Sequence, residues 1–170
     1  LVITTKVFWG GSGVNESGLS RKHVREGLSN SLNRLQLDYV DMVFCHRPDP
    51  HTPTSTVVRA MTDAVRSGMA TCWGTSEWSA QQITEAFWIA RNEGLEPPQF
   101  EQPQYNMLHR DRFENEYFPM YRAPYNIGTT IWSPLNSGLL TGKYNDSVPE
   151  GSRATMEIYS WMSEKLAQAR

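Results

Sequence analysis

The sequence contains 170 residues, of which 39% are hydrophobic and 20% are charged, so we expect a folded globular chain with one core rather than disorder. The net charge of −2 and the scattered lysines and arginines give no basis for nucleic-acid binding, and no apolar run approaches the length of a transmembrane helix. Cys45 and Cys72 fall in predicted core strands, which is typical of reduced thiols in a cytoplasmic protein, and no Cys/His cluster has metal-ligand spacing.

The start of the chain predicts a strand, a loop and a helix. Residues 1–5 are apolar and β-branched, as in a buried strand, and Lys6 ends the run. The glycine-containing loop that follows is not a dinucleotide-binding fingerprint, because its spacing is wrong and no helix opens directly on it. Ser20 is the expected N-cap of a helix whose apolar residues repeat at helical spacing as far as Leu35.

Residues 40–45 form a nearly continuous apolar run, which is typical of a strand buried on both faces. The run ends at His46, and Pro48 and Pro50 prevent strand or helix from continuing. A titratable imidazole is therefore expected where a buried strand meets a rigid loop, which is the end of the strand that carries chemistry in α/β folds. Taken alone, this segment favours an inert, hydrogen-bonded His46.

The next elements have clear start and stop signals. Residues 54–67 predict a second helix, and residues 70–76 predict a short strand that ends in small polar residues. Ser79 and Gln82 have the spacing of a capping box, so a third helix is expected to begin there. Gly94 is expected to end that helix.

The last part of the chain is less regular. A predicted strand at residues 99–105 carries the unexpected polar residues Glu101 and Gln102. A helix over residues 110–121 should be broken or kinked by Pro119. The remaining predicted elements are a fifth strand at 127–132, which is followed by Ser133–Gly138, a loop-like stretch from Leu139 to Arg153 and a terminal helix at 156–170.

Strand, loop and helix thus alternate about five times, which predicts parallel strands joined by crossover helices. A doubly wound sheet and a barrel share this rhythm. The barrel is favoured because a polar side chain closes every strand, as expected where strand ends build one shared site. These residues are Lys6, His46, Ser76, Gln102 and Ser133.

With these strand ends identified, the chain resembles the aldo-keto reductases, and within them the voltage-gated potassium channel β-subunit branch. The resemblance covers essentially the whole chain, and it implies an α/β fold that is a partial TIM (β/α)8 barrel, about strands 3 to 7 of the full barrel. Residues 1–170 would then be the central part of one NADP-dependent oxidoreductase domain, inactive on its own. The matching segments are Leu1–Lys6 with Phe8–Gly11, Gly18–His23, Arg34–Asp41, Arg47–Pro50, Trp73–Ser76, Trp132–Leu135 with Ser137–Gly138, and Gly142–Tyr144.

The resemblance implies NADPH-dependent reduction of aldehydes and ketones to alcohols. Lys6 matches the catalytic lysine that lowers the pKa of a proton-donating tyrosine, and His46 matches the residue that orients the substrate carbonyl near the nicotinamide. Trp9 is either a core residue or a lid over the substrate, and the adjacent glycines favour the lid. The implied cofactor contacts are His46, Ser76, Gln102, Trp132, Ser133, Pro134, Leu135, Asn136, Ser137, Lys143 and Arg153.

Several features depart from this pattern or leave it open. The aspartate and tyrosine of the family are expected upstream of Leu1. The segment that binds the adenosine 2′-phosphate is expected downstream of Arg170. Glu77 stands where the β subunits carry an arginine, which should weaken the phosphate grip, whereas His46 replaces their usual asparagine and favours turnover. His23, His51 and His109 belong to no constellation and are expected to face solvent.

Two other readings remain open. One is a redox-sensing regulatory protein like a channel β subunit, with little turnover; the other is a degenerate gene product without activity. The resemblance implies a small carbonyl substrate, and it leaves open a membrane channel subunit and a second copy of the chain as partners. We expect neither nucleic-acid binding nor direct insertion into a membrane.

Overall fold

Five strands form one parallel sheet in a computed structural model that describes residues 1–169. Each strand pairs with its neighbours in chain order, and helices lie between the first four. The strands are β1 (Thr4–Val7), β2 (Val40–Cys45), β3 (Ala70–Thr75), β4 (Phe100–Glu101) and β5 (Gly128–Thr129), and the helices are α1 (Arg21–Leu35), α2 (Thr54–Arg66), α3 (Ala80–Glu93) and α4 (Met162–Ala169). The predicted α/β fold is therefore confirmed, and the alternation is consistent with a partial (β/α)8 barrel.

The chain is divided into two compact units. The larger unit comprises Leu1–Pro103 and Asp111–Thr130, and it contains the whole sheet with α1, α2 and α3. The smaller unit comprises Gln104–Arg110 and the chain from Ile131 onward, and it contains α4.

The helix boundaries in the larger unit follow the capping signals. The hydroxyl of Ser20 accepts a hydrogen bond from the backbone N–H of His23, which caps α1. Ser79 and Gln82 form the predicted capping box at the start of α3, and Gly94 ends that helix in the left-handed conformation with a φ of 64°.

The core of the larger unit lies between the sheet and the apolar faces of its three helices. Its strand residues come mainly from β2 and β3, as the continuous apolar pattern of residues 40–45 predicted. The buried side chains include Val40, Val43, Trp73, Val24, Leu28, Val57, Met61, Ile83 and Ala86.

The first strand differs from its prediction. Leu1 and Val2 are exposed, and the strand begins at Thr4, so the prediction of a strand over residues 1–5 is shifted. Lys6 lies inside β1 rather than after it, paired in register with Phe44 of β2. The N–H of Ile3 donates to the side-chain carboxylate of Asp41 over 2.7 Å rather than to the backbone of β2, and pairing begins with Thr4 and Met42.

The later elements are shorter than predicted. β4 and β5 contain two residues each, and a π-helical turn at Arg112–Glu116 and a 3₁₀ turn at Phe118–Tyr121 replace the α-helix predicted for residues 110–121. Pro119 falls in the second turn, where its missing N–H and fixed φ exclude a continuous α-helix. The terminal helix begins at Met162 rather than at residue 156, and Arg170, included in that prediction, lies outside the described residues.

Cys45 is a buried free thiol, whereas Cys72 is free but only partly buried. Among residues 1–169, no group of three or more histidine, cysteine, aspartate or glutamate side chains could hold a metal ion. Over the same residues, none of the helices combines the length and the apolar composition needed to cross a bilayer.

Candidate functional site

The carboxyl edge of the sheet is built from residues that directly follow the strands. At each of three neighbouring strand ends, a backbone N–H donates to the carbonyl of the preceding strand, so the residues are fixed in parallel register. The donor–acceptor distances are 3.1 Å from His46 to Val7, 3.0 Å from Ser76 to Cys45 and 2.8 Å from Gln102 to Thr75. Lys6, His46, Ser76 and Gln102 therefore share one edge of the larger unit, as their position at strand ends predicted.

Lys6 and His46 occupy neighbouring strands at this edge. Nζ of Lys6 lies 5.2 Å from the ring centroid of Phe44, the residue two positions before His46. Partial burial lowers the pKa of Lys6 and of His46, and the positive charge of Arg47 lowers both further. With its pKa below the ordinary 6.5, His46 is a neutral imidazole at neutral pH, able both to donate and to accept a hydrogen bond.

Arg47 links two of the strand ends, a role that the sequence did not suggest. Its Nη1 donates to the backbone carbonyl of His46 over 2.5 Å and lies 3.5 Å from Oγ of Ser76. A cation is thereby held between the loops that follow β2 and β3. The only sequence signal was its position between His46 and Pro48.

Trp9 lies beside His46 and not in the core. Its side chain is 65% exposed, and its ring meets that of His46 edge-on with centroids 6.4 Å apart. It also packs edge-on against Phe8 at 4.6 Å. Core packing is therefore excluded, and Trp9 together with Lys6 lines a cavity of about 410 Å³ next to α1. The lid role itself stays a prediction.

Ser76 and Gln102 are joined directly. Oγ of Ser76 donates to the backbone carbonyl of Gln102 over 2.9 Å, and the side-chain amide of Gln102 donates to Oγ1 of Thr130 over 2.8 Å. Ser76 is buried, whereas Gln102 is partly exposed, so the amide of Gln102 is the more accessible of the two polar groups.

Glu101 is the main residue that sequence reasoning did not assign to the site. Its carboxyl group is 1% exposed and accepts hydrogen bonds from Oγ1 of Thr75 and from the backbone N–H of Glu77, each at 2.5 Å. Burial raises the pKa of Glu101 to about 7. The sequence signal was present, because a glutamate in an otherwise apolar strand requires specific partners.

The structure gives partners for Glu77 and His23, and for His23 it differs from the prediction. Glu77 is paired with Arg112, whose Nη1 lies 2.6 Å from its carboxylate, so its charge is already balanced by a neighbour. His23 was expected to face solvent but is 7% exposed, with Nδ1 2.9 Å from the carbonyl of Asn15, because the third position of α1 turns toward the preceding loop. His51 and His109 are exposed, as predicted.

The smaller unit contains the loop predicted to contact cofactor phosphates. The carbonyl of Trp132 accepts from the N–H of Tyr105, and the carbonyl of Ser133 accepts from the side-chain amide of Asn106 over 2.9 Å. Left-handed backbone conformations at four positions curl the chain around a cavity of about 430 Å³. Those positions are Ser133 (φ 54°), Asn136 (45°), Ser137 (61°) and Gly138 (99°).

This cavity brings together six of the eight residues predicted in the smaller unit. They are Ser133, Pro134, Leu135, Ser137, Lys143 and Arg153. Of the other two, Trp132 does not line the cavity, and Asn136 is buried with an Oδ1 that has no hydrogen-bond partner among the described residues. A Cβ at Gly138 would lie only 2.8 Å from Cε of Lys143, so a glycine keeps the space beside the ammonium group open.

A parallel α/β sheet whose strands alternate with helices is consistent with the family model that this sequence matches. The chain belongs to the aldo/keto reductase family, whose model matches residues 1–169. Two relatives, from Oryza sativa subsp. japonica and Arabidopsis thaliana, are each named "Probable voltage-gated potassium channel subunit beta". Each is 52% identical over 166 residues, which are 97% of this chain and 50% of the relative. The chain thus spans about half the length of these relatives, and the resemblance seen in the sequence is confirmed.

Proposed function

We propose that the full-length protein reduces aldehydes and ketones to alcohols with NADPH. The observation that supports this most strongly is the position of Lys6 in β1 and His46 at the end of β2, on neighbouring strands at the carboxyl edge of one parallel sheet. One group is cationic and the other can donate a hydrogen bond without a net charge, which suits a carbonyl oxygen that gains negative charge during reduction.

The residues of the smaller unit are suited to an anionic cofactor. Lys143 and Arg153 are exposed cations that line the same cavity as the hydroxyl groups of Ser133 and Ser137. Cations and hydroxyl groups are the side chains that recognise phosphate oxygens, and the open space at Gly138 lets a ligand approach the backbone closely. We propose that these residues hold the phosphates of NADPH.

In the larger unit, each edge residue has a separate task in this proposal. Bound NADPH supplies the hydride. His46 orients the carbonyl oxygen by donating a hydrogen bond, and the ammonium of Lys6 stabilises the ionised form of a tyrosine outside residues 1–170, so that this tyrosine gives up its proton to the same oxygen. Ser76 and Gln102 contribute hydrogen bonds to the carboxamide of the nicotinamide ring.

The test uses the full-length protein and an activated aldehyde, 4-nitrobenzaldehyde, with NADPH consumption followed by its absorbance. We expect turnover by the wild-type protein and loss of nearly all turnover in Lys6→Met, with cofactor affinity largely retained. The matched control is Lys22→Met, because Lys22 is exposed on α1 and its ammonium group forms a salt bridge with Glu26. Turnover of Lys6→Met at the wild-type rate would show that Lys6 is not the catalytic lysine.

A second candidate function is favoured by the names of the two plant relatives. In this alternative, the full-length protein binds a voltage-gated potassium channel and responds to the redox state of its cofactor, with little turnover. Co-expression with such a channel and recording of its currents, with wild-type protein and Lys6→Met, would test it. An effect on the current without measurable aldehyde reduction would favour the regulatory function. A cytoplasmic location and self-association are parts of both proposals.

A further inference from the structure

Glu101 holds the residues on both sides of Ser76. Its Oε2 accepts from Oγ1 of Thr75, and its Oε1 accepts from the backbone N–H of Glu77, each over 2.5 Å. Thr75 and Glu77 are the immediate neighbours of Ser76, so one carboxyl group fixes the short segment that carries the serine. At 1% exposure, the carboxyl group exchanges neither bond with water.

The same carboxyl group belongs to the residue that precedes Gln102. Because the hydroxyl of Ser76 donates to the carbonyl of Gln102 and the N–H of Gln102 donates to the carbonyl of Thr75, the end of β3 and the end of β4 are tied by side-chain and backbone bonds. β3 and β4 share a single residue pair in register, Thr75 with Glu101. The side-chain bonds therefore add to the few backbone bonds that link these two strand ends.

The segment that Glu101 holds is conformationally unusual. Glu77 has a left-handed backbone with a φ of 60°, which a residue with a side chain adopts at an energetic cost. Arg112 also binds this residue, donating to the carboxylate of Glu77 over 2.6 Å and to its backbone carbonyl over 3.4 Å. A strained turn that is fixed by two neighbouring side chains is typical of a segment near a functional site.

We propose that Glu101 is a positioning residue, which keeps Ser76 and Gln102 together at the sheet edge so that they can bind the carboxamide of a nicotinamide ring. The inference rests on the proposed function, since it assumes that these two residues contact the cofactor. Glu101 itself is buried, so in this proposal it acts through its hydrogen bonds to the two neighbours of Ser76 and not by contact with a ligand.

The test is equilibrium binding to the full-length protein, measured with two ligands by fluorescence titration. NADP⁺ carries the nicotinamide ring, whereas adenosine 2′,5′-bisphosphate carries phosphates but no nicotinamide.

The variants change the hydrogen bonds of Glu101 one or two at a time. Glu101→Leu removes both hydrogen bonds, and Glu101→Gln keeps an acceptor for the N–H of Glu77 and offers its amide to Thr75. Thr75→Val removes one bond from the other end with little change of shape, in case Glu101→Leu does not fold. Thr62→Val is the matched control, because Thr62 is equally buried but its hydroxyl holds the N–H of Glu96.

We expect Glu101→Leu and Thr75→Val to weaken NADP⁺ binding by about tenfold, the effect of losing one or two directed hydrogen bonds, with the bisphosphate bound as in the wild type. Glu101→Gln should recover most of the affinity for NADP⁺, and Thr62→Val should change neither ligand. Equal losses for both ligands, or no loss for either, would overturn the positioning role while leaving the proposed function standing. Failure of the wild-type protein to bind either ligand would overturn both.

Discussion

The indole ring of Trp9 meets the imidazole ring of His46 edge-on, with ring centroids 6.4 Å apart and planes at 79°. Because Trp9 is 65% exposed, its replacement should cost little folding stability. If Trp9 lines the proposed substrate pocket, Trp9→Ala in the full-length protein should raise KM for aromatic aldehydes by about tenfold, with a much smaller change in kcat. Steady-state kinetics check this. Trp88→Ala, at a tryptophan of α3 that is 45% exposed, is the control, and an equal rise in KM there would contradict a specific role for Trp9.

The positive charge of Arg47 should have a measurable effect on the pKa of His46. Burial is the largest cause of the lowered pKa of His46, followed by the charges of Arg47 and Lys6. Removal of one cation makes protonation easier, so Arg47→Met should raise the pKa of His46, although not beyond its ordinary 6.5 because the imidazole stays partly buried. NMR titration of the imidazole C–H signal in the full-length protein measures it. Arg25→Met, at an exposed position of α1, should leave this signal unchanged, and a fall in the pKa of His46 after loss of Arg47 would show that the charge assignment is wrong.

Folding stability should depend on pH through Glu101. Its pKa is about 7 in the folded chain against an ordinary value of 4.5, so the folded state binds the proton more tightly than the unfolded state. This group therefore contributes stability that is complete below about pH 4.5 and is lost as the pH rises through about 7, by up to a few kcal/mol. Urea denaturation of the full-length protein at several pH values in this range measures how the free energy of unfolding changes with pH.

We expect the free energy of unfolding of Glu101→Gln to change less with pH than that of the wild type, because an amide does not titrate. The control is Glu26→Gln, which changes an exposed carboxylate of α1 that is paired with Lys22. A slope that is the same in Glu101→Gln as in the wild type would assign the pH dependence to other groups.

Cofactor choice should follow the cations of the smaller unit. Lys143 and Arg153 line one cavity, and cations placed for phosphates favour the ligand with the extra phosphate, so we expect NADPH to bind more tightly than NADH. Lys143→Met should weaken NADPH binding by roughly tenfold, the typical effect of losing one hydrogen bond to a charged group, and NADH binding by less. Fluorescence titration with both cofactors provides the measurement. Equal dissociation constants for NADPH and NADH in the wild type would remove the prediction.

The regular part of the fold could be predicted because its signals are local. The helix boundaries depend on hydrogen bonds and backbone conformations within a few residues in the chain, so the sequence pattern alone can predict them. The residues concerned are Ser20, Ser79, Gln82 and Gly94. The apolar run at residues 40–45 likewise has one stable environment, a strand covered on both faces.

The parts that were mispredicted depend on distant partners. The lengths of β4 and β5 are set by which backbone groups their neighbours present, and periodicity cannot supply that register. His23 is buried because a loop carbonyl eight residues earlier in the chain meets its ring. The environment of Glu101 depends on Thr75 and Glu77, some 25 residues away in the chain, so its hydrogen bonds could not be read from its own segment.

The three strand-end residues are anchored by their backbones, each N–H donating to a carbonyl of the preceding strand. The side chain of His46 takes no part in this anchor, so it can be exchanged without loss of the backbone hydrogen bond between β1 and the end of β2. His46→Asn would keep the anchor while replacing a titratable ring with a neutral amide. A single substitution at this edge could thus change the chemistry that we propose for the site while the pairing of the strands is kept.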